Sequence, residues 1–298
     1  MPTVIRAGVR SRQITESDFA NVVDLLTQGF PVRSPRYWQS ALEALGSHAT
    51  PAGLPKYGYL LEHDGSPVGV VLLIHSSIAG GGTVTLRCNV SSWYVQPKFR
   101  SHASLLISHA TKRRDVTYIN VSPALHTLPI VGAQGFTPYS NGRFLAVPAL
   151  SKSGRDDAIE IVGIDAPPQV PFEPSELELL KIHQKFGCLS LWCKTPDEAL
   201  PFVFMAERVK GIIPCMQLVH CRDIRDFVRF ARPLGRYLAK RGRPIVIIDS
   251  NGPIPGLAGK YFDGKSPKYY KGPRKPSFGD LAYTETVMFG RRRSRFAT

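Results

Sequence analysis

The chain has 298 residues, 43% of them hydrophobic, and its formal net charge is +15, with a sequence pI of about 9.8. This length allows one large domain or two of ordinary size, and no apolar run approaches the roughly 18–20 residues that span a bilayer. The opening MPTVIRAGVRSRQ lacks the apolar centre of a secretory signal, and the five cysteines fit no common zinc spacing. We therefore expect a cytoplasmic protein with reduced cysteines, no metal and no membrane contact, whose charge favours an anionic partner.

Start and turn signals define the elements of the N-terminal part. A short polar strand is followed by a helix, for which Thr15 and Asp18 provide an N-cap pattern. A second helix is predicted to begin with Ser34 as its cap and Pro35 at its first position. The dipeptide at residues 64–65, Asp-Gly, separates two apolar runs and predicts a β-hairpin. A further strand is expected over residues 84–95.

The stretch YVQPKFRSHASLL, residues 94–106, has the pattern of a strand end, a turn and a helix start. We expect the helix over residues 101–112, followed by a strand at VTYINV, a helix around residues 127–134 and a strand at RFLAVPAL. The next segment, SKSGRDDA, is polar and small and has the composition of a linker. These signals predict one domain over residues 1–150 and a second over residues 157–298.

The second half has fewer clear signals. PSELELLKIHQKF predicts a helix capped by Ser175, CLSLWC a strand, and DIRDFVRFARPLGRYLAKRG an amphipathic helix that Pro233 should kink. PIVIID predicts a buried strand, FDGKSPKYYKGPRKPSFGD a surface loop, and the tail one more strand. An internal repeat is also indicated, because Asn120 and Asp249 each end an apolar strand that follows a helix.

Two sequence patterns carry a family resemblance. SSWYVQPKFRSHASLLISHATKRR, followed by YINVSPALHTLPIVGAQGF, resembles the paired signatures of the GNAT acyltransferase superfamily. The resemblance covers residues 9–148, and the matching residues are Tyr94, Val95, Pro97, Arg100, Asn120, Gly135 and Phe136. It implies an α+β fold with a mixed, mostly antiparallel sheet flanked by helices. We expect this fold to be duplicated in a degenerate form in the C-terminal half.

The resemblance implies acetyl-CoA or another acyl-CoA as the bound substrate. A helix N-terminus can bind its pyrophosphate through free backbone N–H groups, which here would come from residues 100–105. Ala103 and Leu105 occupy the two glycine positions of the family pattern; alanine is a mild change, whereas Leu105 would either fill the cofactor space or point into the core. The implied cofactor-binding residues are Tyr94, Val95, Arg100, Ser101, His102, Ala103, Ser104, Leu105 and Asn120. Lys98 and residues 112–114 are further candidates for phosphate contacts.

The catalytic groups are less well defined. The family often has a carboxylate general base on its fourth strand, but TVTLRCNVSSWYV contains none, and Val131 stands where the family often has a tyrosine acid. His126 is the best titratable candidate, although a capping or packed histidine fits the same position. Tyr118 is a second candidate for a catalytic role.

Three functions remain open on the sequence alone. The first is an acyltransferase that acts on a small-molecule or peptide acceptor, an amine or hydroxyl, in a groove between the two domains. The second is a non-catalytic GNAT-like protein that binds an acyl-CoA or another ligand. The third and least favoured is a nucleic-acid-binding protein, because residues 259–298 hold 10 Lys and Arg against 3 Asp and Glu, with aromatic residues between them. The sequence does not indicate the oligomeric state.

Overall fold

The computed structural model describes residues 8–80, 83–124, 127–152, 159–165 and 168–290. The chain forms two compact units: unit 1 comprises Met1–Thr137 and Tyr270–Lys275, and unit 2 comprises Pro138–Tyr269 and Pro276–Thr298. Both combine a mostly antiparallel sheet with flanking helices, so the predicted α+β fold is confirmed. In the described part of the chain, no helix has the length and apolar character needed to cross a membrane.

The described residues of unit 1 form five strands and four helices. The strands are β1 (Val9–Gln13), β2 (Gly58–His63), β3 (Ser66–Gly80), β4 (Thr83–Val95) and β5 (Val116–Asn120), and the helices are α1 (Phe19–Gly29), α2 (Pro35–Ser47), α3 (Ala103–Ala110) and α4 (Leu128–Ala133). The strands follow one another in the sheet in chain order. Every neighbouring pair is antiparallel except β4 and β5, which run parallel. The helix α3 makes the crossover that a parallel pair requires.

Local signals in unit 1 behave as predicted. Thr15 N–H donates to the Asp18 carboxylate over 2.8 Å and caps a 3-10 turn that leads into α1. Ser34 accepts a hydrogen bond from Tyr37 N–H at the start of α2. The hairpin between β2 and β3 turns at Asp64, whose φ is 51°, and at the following glycine, whose φ is 77°. These are the left-handed angles that a two-residue hairpin turn needs.

Unit 2 contains seven strands and four helices in its described residues. The strands are β6 (Thr137–Ala146), β7 (Glu160–Gly163), β8 (Leu189–Lys194), β9 (Ala199–Val209), β10 (Ile213–His220), β11 (Val246–Ser250) and β12 (Gly259–Lys271), and the helices are α5 (Pro174–Lys185), α6 (Ile224–Arg229), α7 (Ala231–Ala239) and α8 (Glu285–Met288). The strand order is β12-β6-β11-β10-β9-β8-β7. The hydrophobic core of this unit contains four fully buried phenylalanines, Phe202, Phe204, Phe227 and Phe230.

The two units share one succession of strand pairs. In unit 2, β7 to β10 pair antiparallel in chain order, and β10 and β11 then run parallel around α6 and α7. This is the succession of β1 to β5 in unit 1, with α3 as the crossover. The internal repeat predicted from the sequence matches Asn120 with Asp249, and the structure places them at the ends of the corresponding strands β5 and β11.

Several predicted elements of the second half are wrong. The segment predicted as a surface loop forms much of β12, and the tail forms the short helix α8 instead of a strand. The interruption predicted at Pro233 is confirmed: the amphipathic helix divides at Phe230 into α6 and α7, and Pro233 lies in the first turn of α7, where a missing N–H costs little. Glu173, rather than Ser175, occupies the N-cap of α5. The predicted linker falls largely on residues 153–158, outside the described residues.

All five cysteines are buried and none forms a disulfide. Burial raises the pKa of the Cys88, Cys188, Cys193, Cys215 and Cys221 thiols, so they stay protonated at neutral pH. They act as small apolar core residues.

Candidate functional site

Strand β4 contains a bulge near its C-terminal end. In the pairing with β3, Val70 faces Tyr94 and Leu72 faces Ser91, so two residues of β4 lie opposite the single residue Val71. One of them, Ser92, has a φ of 50°, which a residue other than glycine rarely adopts. Bulges bend a strand and redirect its side chains, and they are common next to functional sites.

Strands β4 and β5 separate just before this bulge. Their parallel pairing runs from Leu86 with Val116 to Asn89 with Ile119, and no later pair is formed among the described residues. The Asn89 side-chain amide donates to the Val90 and Ile119 carbonyls, each over 3.2 Å. One buried amide thus holds both strands at the point where they part. We call the opening beyond it, between residues 90–95 of β4 and residues 120–121, the β4–β5 wedge.

At the wedge, one edge of β4 is not paired with β5. Gln96 N–H donates to the Val68 carbonyl over 2.9 Å, so it points towards β3. Successive amides of a strand point to opposite edges, so Val95 N–H points into the wedge. An extended chain could pair there as an additional strand. The Tyr94 ring packs against Gly29 of α1, so closely that a Cβ atom on this glycine would collide with it. Tyr94 therefore contributes its backbone to the wedge, while its ring lies against α1.

The turn after β4 differs from the free helix terminus expected from the sequence. Pro97–His102 form a 3-10 helix that leads into α3. In such a helix each N–H bonds to the carbonyl three residues earlier: Phe99 N–H donates to Gln96, and Ala103 N–H to Arg100. Part of the predicted row of phosphate donors, residues 100–105, is therefore already paired.

The side chains at this turn remain accessible. Lys98, Arg100, Ser101 and Ser104 are exposed, while His102 and Ala103 are half-buried. Leu105 is 45% exposed and does not point into the core, which was one of the two orientations expected for it. An anion at this turn would meet two cationic side chains and two hydroxyls in addition to any free backbone donors.

The second of the two family patterns, which ends in Gly135 and Phe136, closes helix α4 as expected. Gly135 has a φ of 82°, and Phe136 N–H donates to the Val131 carbonyl over 3.3 Å. This is the hydrogen bond that closes a helix through a left-handed glycine, with Phe136 buried behind it. Val131 is itself buried, so the position at which the family often has a tyrosine belongs to the core here. Asn120 is half-buried where β5 ends at the wedge.

Of the two catalytic candidates, Tyr118 lies in the described part of the chain, and it is not at the wedge. Tyr118 pairs with Cys88, before the strands separate, and its phenol accepts a hydrogen bond from Arg113 N–H over 3.3 Å. Burial raises the pKa of Tyr118 well above its usual value, so it is a poor proton donor at neutral pH. His126 lies outside the described residues. The remaining polar side chains of β4 near the bulge include Ser91 and Ser92, whose hydroxyls lie 2.9 Å apart.

The basic residues named as phosphate candidates lie at opposite ends of α3. Lys98 and Arg100 precede the helix, whereas residues 112–114 follow it. The helix has 8 residues, so the two groups are separated by about 12 Å at 1.5 Å per residue. Each group therefore stays a separate candidate for phosphate contacts.

In unit 2 the corresponding wedge is occupied by the chain itself. Strands β10 and β11 pair only at Met216 with Val246 and Gln217 with Ile247, and β10 has an irregular register between Leu218 and His220. Beyond these pairs, residues 279–281 add to β10. Leu281 N–H donates to the Val219 carbonyl over 2.7 Å, and Cys221 N–H donates to the Gly279 carbonyl over 3.0 Å.

Gly279 is what allows this close approach. Its φ is 74°, and a Cβ atom there would lie 2.7 Å from Cys221 Sγ. At the end of β11, Asp249 forms a buried ion pair with Lys268, with Nζ and Oδ1 2.7 Å apart. The positions in unit 2 that correspond to the open wedge of unit 1 thus carry structural contacts. The described residues also contain no group of three or more His, Cys, Asp or Glu side chains that could hold a metal ion.

Comparisons with known proteins identify the fold. The sequence matches no protein-family model and no curated protein. The structure is similar to a GCN5-related N-acetyltransferase from Anabaena variabilis, with a TM-score of 0.56, 12% identity, and coverage of 89% of this chain and 72% of that one. It is also similar to a GCN5-related N-acetyltransferase from Kribbella flavida, with a TM-score of 0.53, 13% identity, and coverage of 90% and 72%.

A conserved protein of unknown function from Enterococcus faecalis is similar at the same level, with a TM-score of 0.55, 11% identity, and coverage of 89% and 72%. At such low identity the likeness shows a shared fold and carries no information about the substrate. The resemblance detected in the sequence is confirmed at the level of the fold.

Proposed function

We propose that this chain, which has the GNAT fold, binds an acyl-CoA in the β4–β5 wedge and transfers the acyl group to an amine or hydroxyl acceptor. The wedge itself carries this proposal. It combines a bulge at Ser92, an edge of β4 without a partner strand in the described residues, and an Asn89 amide that fixes the point at which the strands part. Acetyl is the acyl group we favour, and the acceptor is not assigned.

The residues of the wedge fit a thioester with an extended amide arm. Val95 N–H points into the opening and can donate to a carbonyl placed there, and Asn120 lies on the opposite side at the end of β5. The exposed Lys98 and Arg100 side chains lie at the mouth, where they can pair with phosphates. When bound, an acyl-CoA supplies an activated acyl group. A backbone donor aimed at its carbonyl oxygen would stabilise the negative charge that develops during transfer.

Titration calorimetry with acetyl-CoA tests the binding step. Ala103→Glu places a carboxylate at the start of α3, where it should repel phosphates. The same carboxylate is favourable to a helix N-terminus, so the variant should fold. Ala49→Glu makes the same change at an exposed loop position of unit 1 and serves as the matched control. We expect micromolar binding that Ala103→Glu abolishes and Ala49→Glu retains. Binding unaffected by Ala103→Glu would remove the turn from the site.

A second candidate function is acyl-CoA binding without turnover. Strand β4 has no carboxylate, and Val131 is buried where an acid would be needed. Release of free thiol from acetyl-CoA, measured with a panel of amines and hydroxyl compounds, separates the two. Release that depends on an acceptor and is reduced in His126→Ala supports transfer with His126 as a proton acceptor. Tight binding without release for any acceptor favours the binding protein.

A further inference from the structure

A basic cavity lies at the end of unit 1 where α3 finishes and β5 begins. Its volume is about 420 Å³, and it is lined by the end of α3, by the loop that follows, by the start of β5, and by Lys271 with the glycine after it. Ser108, Thr111 and Tyr118 are among the residues that line it. The helix α3 separates this cavity from Lys98 and Arg100, so it is not part of the β4–β5 wedge.

The wall supplied by Lys271 is held in place by backbone contacts. Gly272 has a φ of 131°, and a Cβ atom there would collide with the Val116 carbonyl, so only glycine lets this segment lie on β5. Two residues later, Arg274 N–H donates to Thr117 Oγ1 over 3.1 Å. A segment about 150 residues away in the sequence is thus fixed against the first residues of β5 and closes one side of the cavity.

The cavity has an excess of positive charge. Arg113 forms a two-point ion pair with Asp115, with N–O distances of 3.0 and 2.5 Å. In the described part of the chain, Lys112, Arg114 and Lys271 have no carboxylate partner, although all three line the cavity. Lys271 Nζ is held instead by the Thr111 hydroxyl over 3.3 Å. Cations brought together in this way repel one another, and a bound anion relieves the repulsion.

We propose that this cavity binds a small ligand that carries a phosphate or diphosphate group, such as a nucleotide. Lys112, Arg114 and Lys271 supply both the charge and the hydrogen-bond donors. A small ligand fits better than a polynucleotide because the site is concave and its volume lies in the range of small-molecule pockets, roughly 300–1,000 Å³. The site is independent of acyl-CoA binding, since neither Lys98 nor Arg100 lines it.

Binding of inorganic pyrophosphate and of ADP to the full chain, measured by calorimetry at low salt, tests the proposal. The test variant is the double change Lys112→Gln with Arg114→Gln, which alters only exposed side chains and should fold normally. Lys271→Met is a second variant that removes the anchored cation. The matched control is Arg36→Gln, which removes one exposed charge on α2 of the same unit.

We expect ADP and pyrophosphate to bind the wild-type chain and each test variant to weaken that binding by roughly tenfold or more, as loss of charge-assisted hydrogen bonds does. Arg36→Gln should leave pyrophosphate binding unchanged. Equal losses in Arg36→Gln and the double variant, or no binding at millimolar pyrophosphate, would overturn the site. Tighter binding of a single-stranded oligonucleotide than of ADP, with competition between them, would overturn the small-ligand assignment.

Discussion

The buried ion pair of unit 2 allows a quantitative test of how its sheet is held together. Lys268 of β12 and Asp249 of β11 have only 3% and 2% of their side chains exposed, with Nζ and Oδ1 2.7 Å apart. Lys268 also donates to the Ser266 carbonyl over 3.4 Å. The change Lys268→Met keeps the length and apolar stem of the side chain but removes its charge, which leaves the Asp249 carboxylate buried without this cation.

The expected cost follows from that uncompensated charge. Removing one partner of a buried pair destabilises proteins by about 3–5 kcal/mol, whereas replacing both with apolar residues is often neutral or stabilising. Arg143 lies opposite Asp249 in the pairing of β11 with β6, so it can offset part of the loss. We therefore expect about 3 kcal/mol for Lys268→Met. The double change Asp249→Leu with Lys268→Met should cost less than the single change.

Hydrogen exchange of peptides from β11 gives the free energy of opening for unit 2 separately from unit 1. The matched control is Lys265→Met, at an exposed position of the same strand, which should change the free energy by less than about 0.5 kcal/mol. The reasoning would be refuted if Lys268→Met cost less than 1 kcal/mol on this scale, or if the double variant were less stable than the single one.

Three further predictions concern other contacts. Gly279→Val should expel residues 279–281 from β10 and expose Cys221 to a thiol reagent. The control is Gly264→Val, at a φ of 65° with open space around it, which should strain the backbone without increasing the labelling of Cys221. Equal labelling of Cys221 in both variants would contradict the packing argument. Burial lowers the pKa of His75 to about 4 from an ordinary value of 6.5, so the unfolded chain binds this proton more readily. The contribution of His75 to the free energy of unfolding should be fully present above about pH 6.5 and should be lost as the pH drops towards 4, by about 3 kcal/mol. In urea unfolding, the free energy of His75→Asn should depend less steeply on pH than that of the wild-type chain. An unchanged slope would argue against this role of His75. Asn89→Leu leaves two carbonyls at the wedge without their donor, so it should lower the free energy of unfolding by about 1–3 kcal/mol and weaken acetyl-CoA binding. Thermal unfolding measures the first effect and calorimetry the second. Unchanged binding would show that the wedge does not need this amide.

Local signals in the sequence were sufficient for most of unit 1. The cap at Ser34, the hairpin turn at Asp64 and the helix end at Gly135 each depend on residues a few positions apart, so the sequence contains all the partners. The same signals were weak in unit 2. Strands β9 and β10 were not identified, and β12 was taken for a loop because its glycine and proline content is typical of turns.

The sequence by itself determined the fold class, the order of elements in unit 1 and the position of the turn after β4. Only the tertiary structure decided what these elements build, because the decisive contacts join residues far apart in the chain. The Asn89 amide reaches Ile119, Lys268 reaches Asp249, and Gly279 lies against Cys221. Pairing of this kind depends on which strand edge is free and which side chains are buried together, and neither property is encoded in local periodicity.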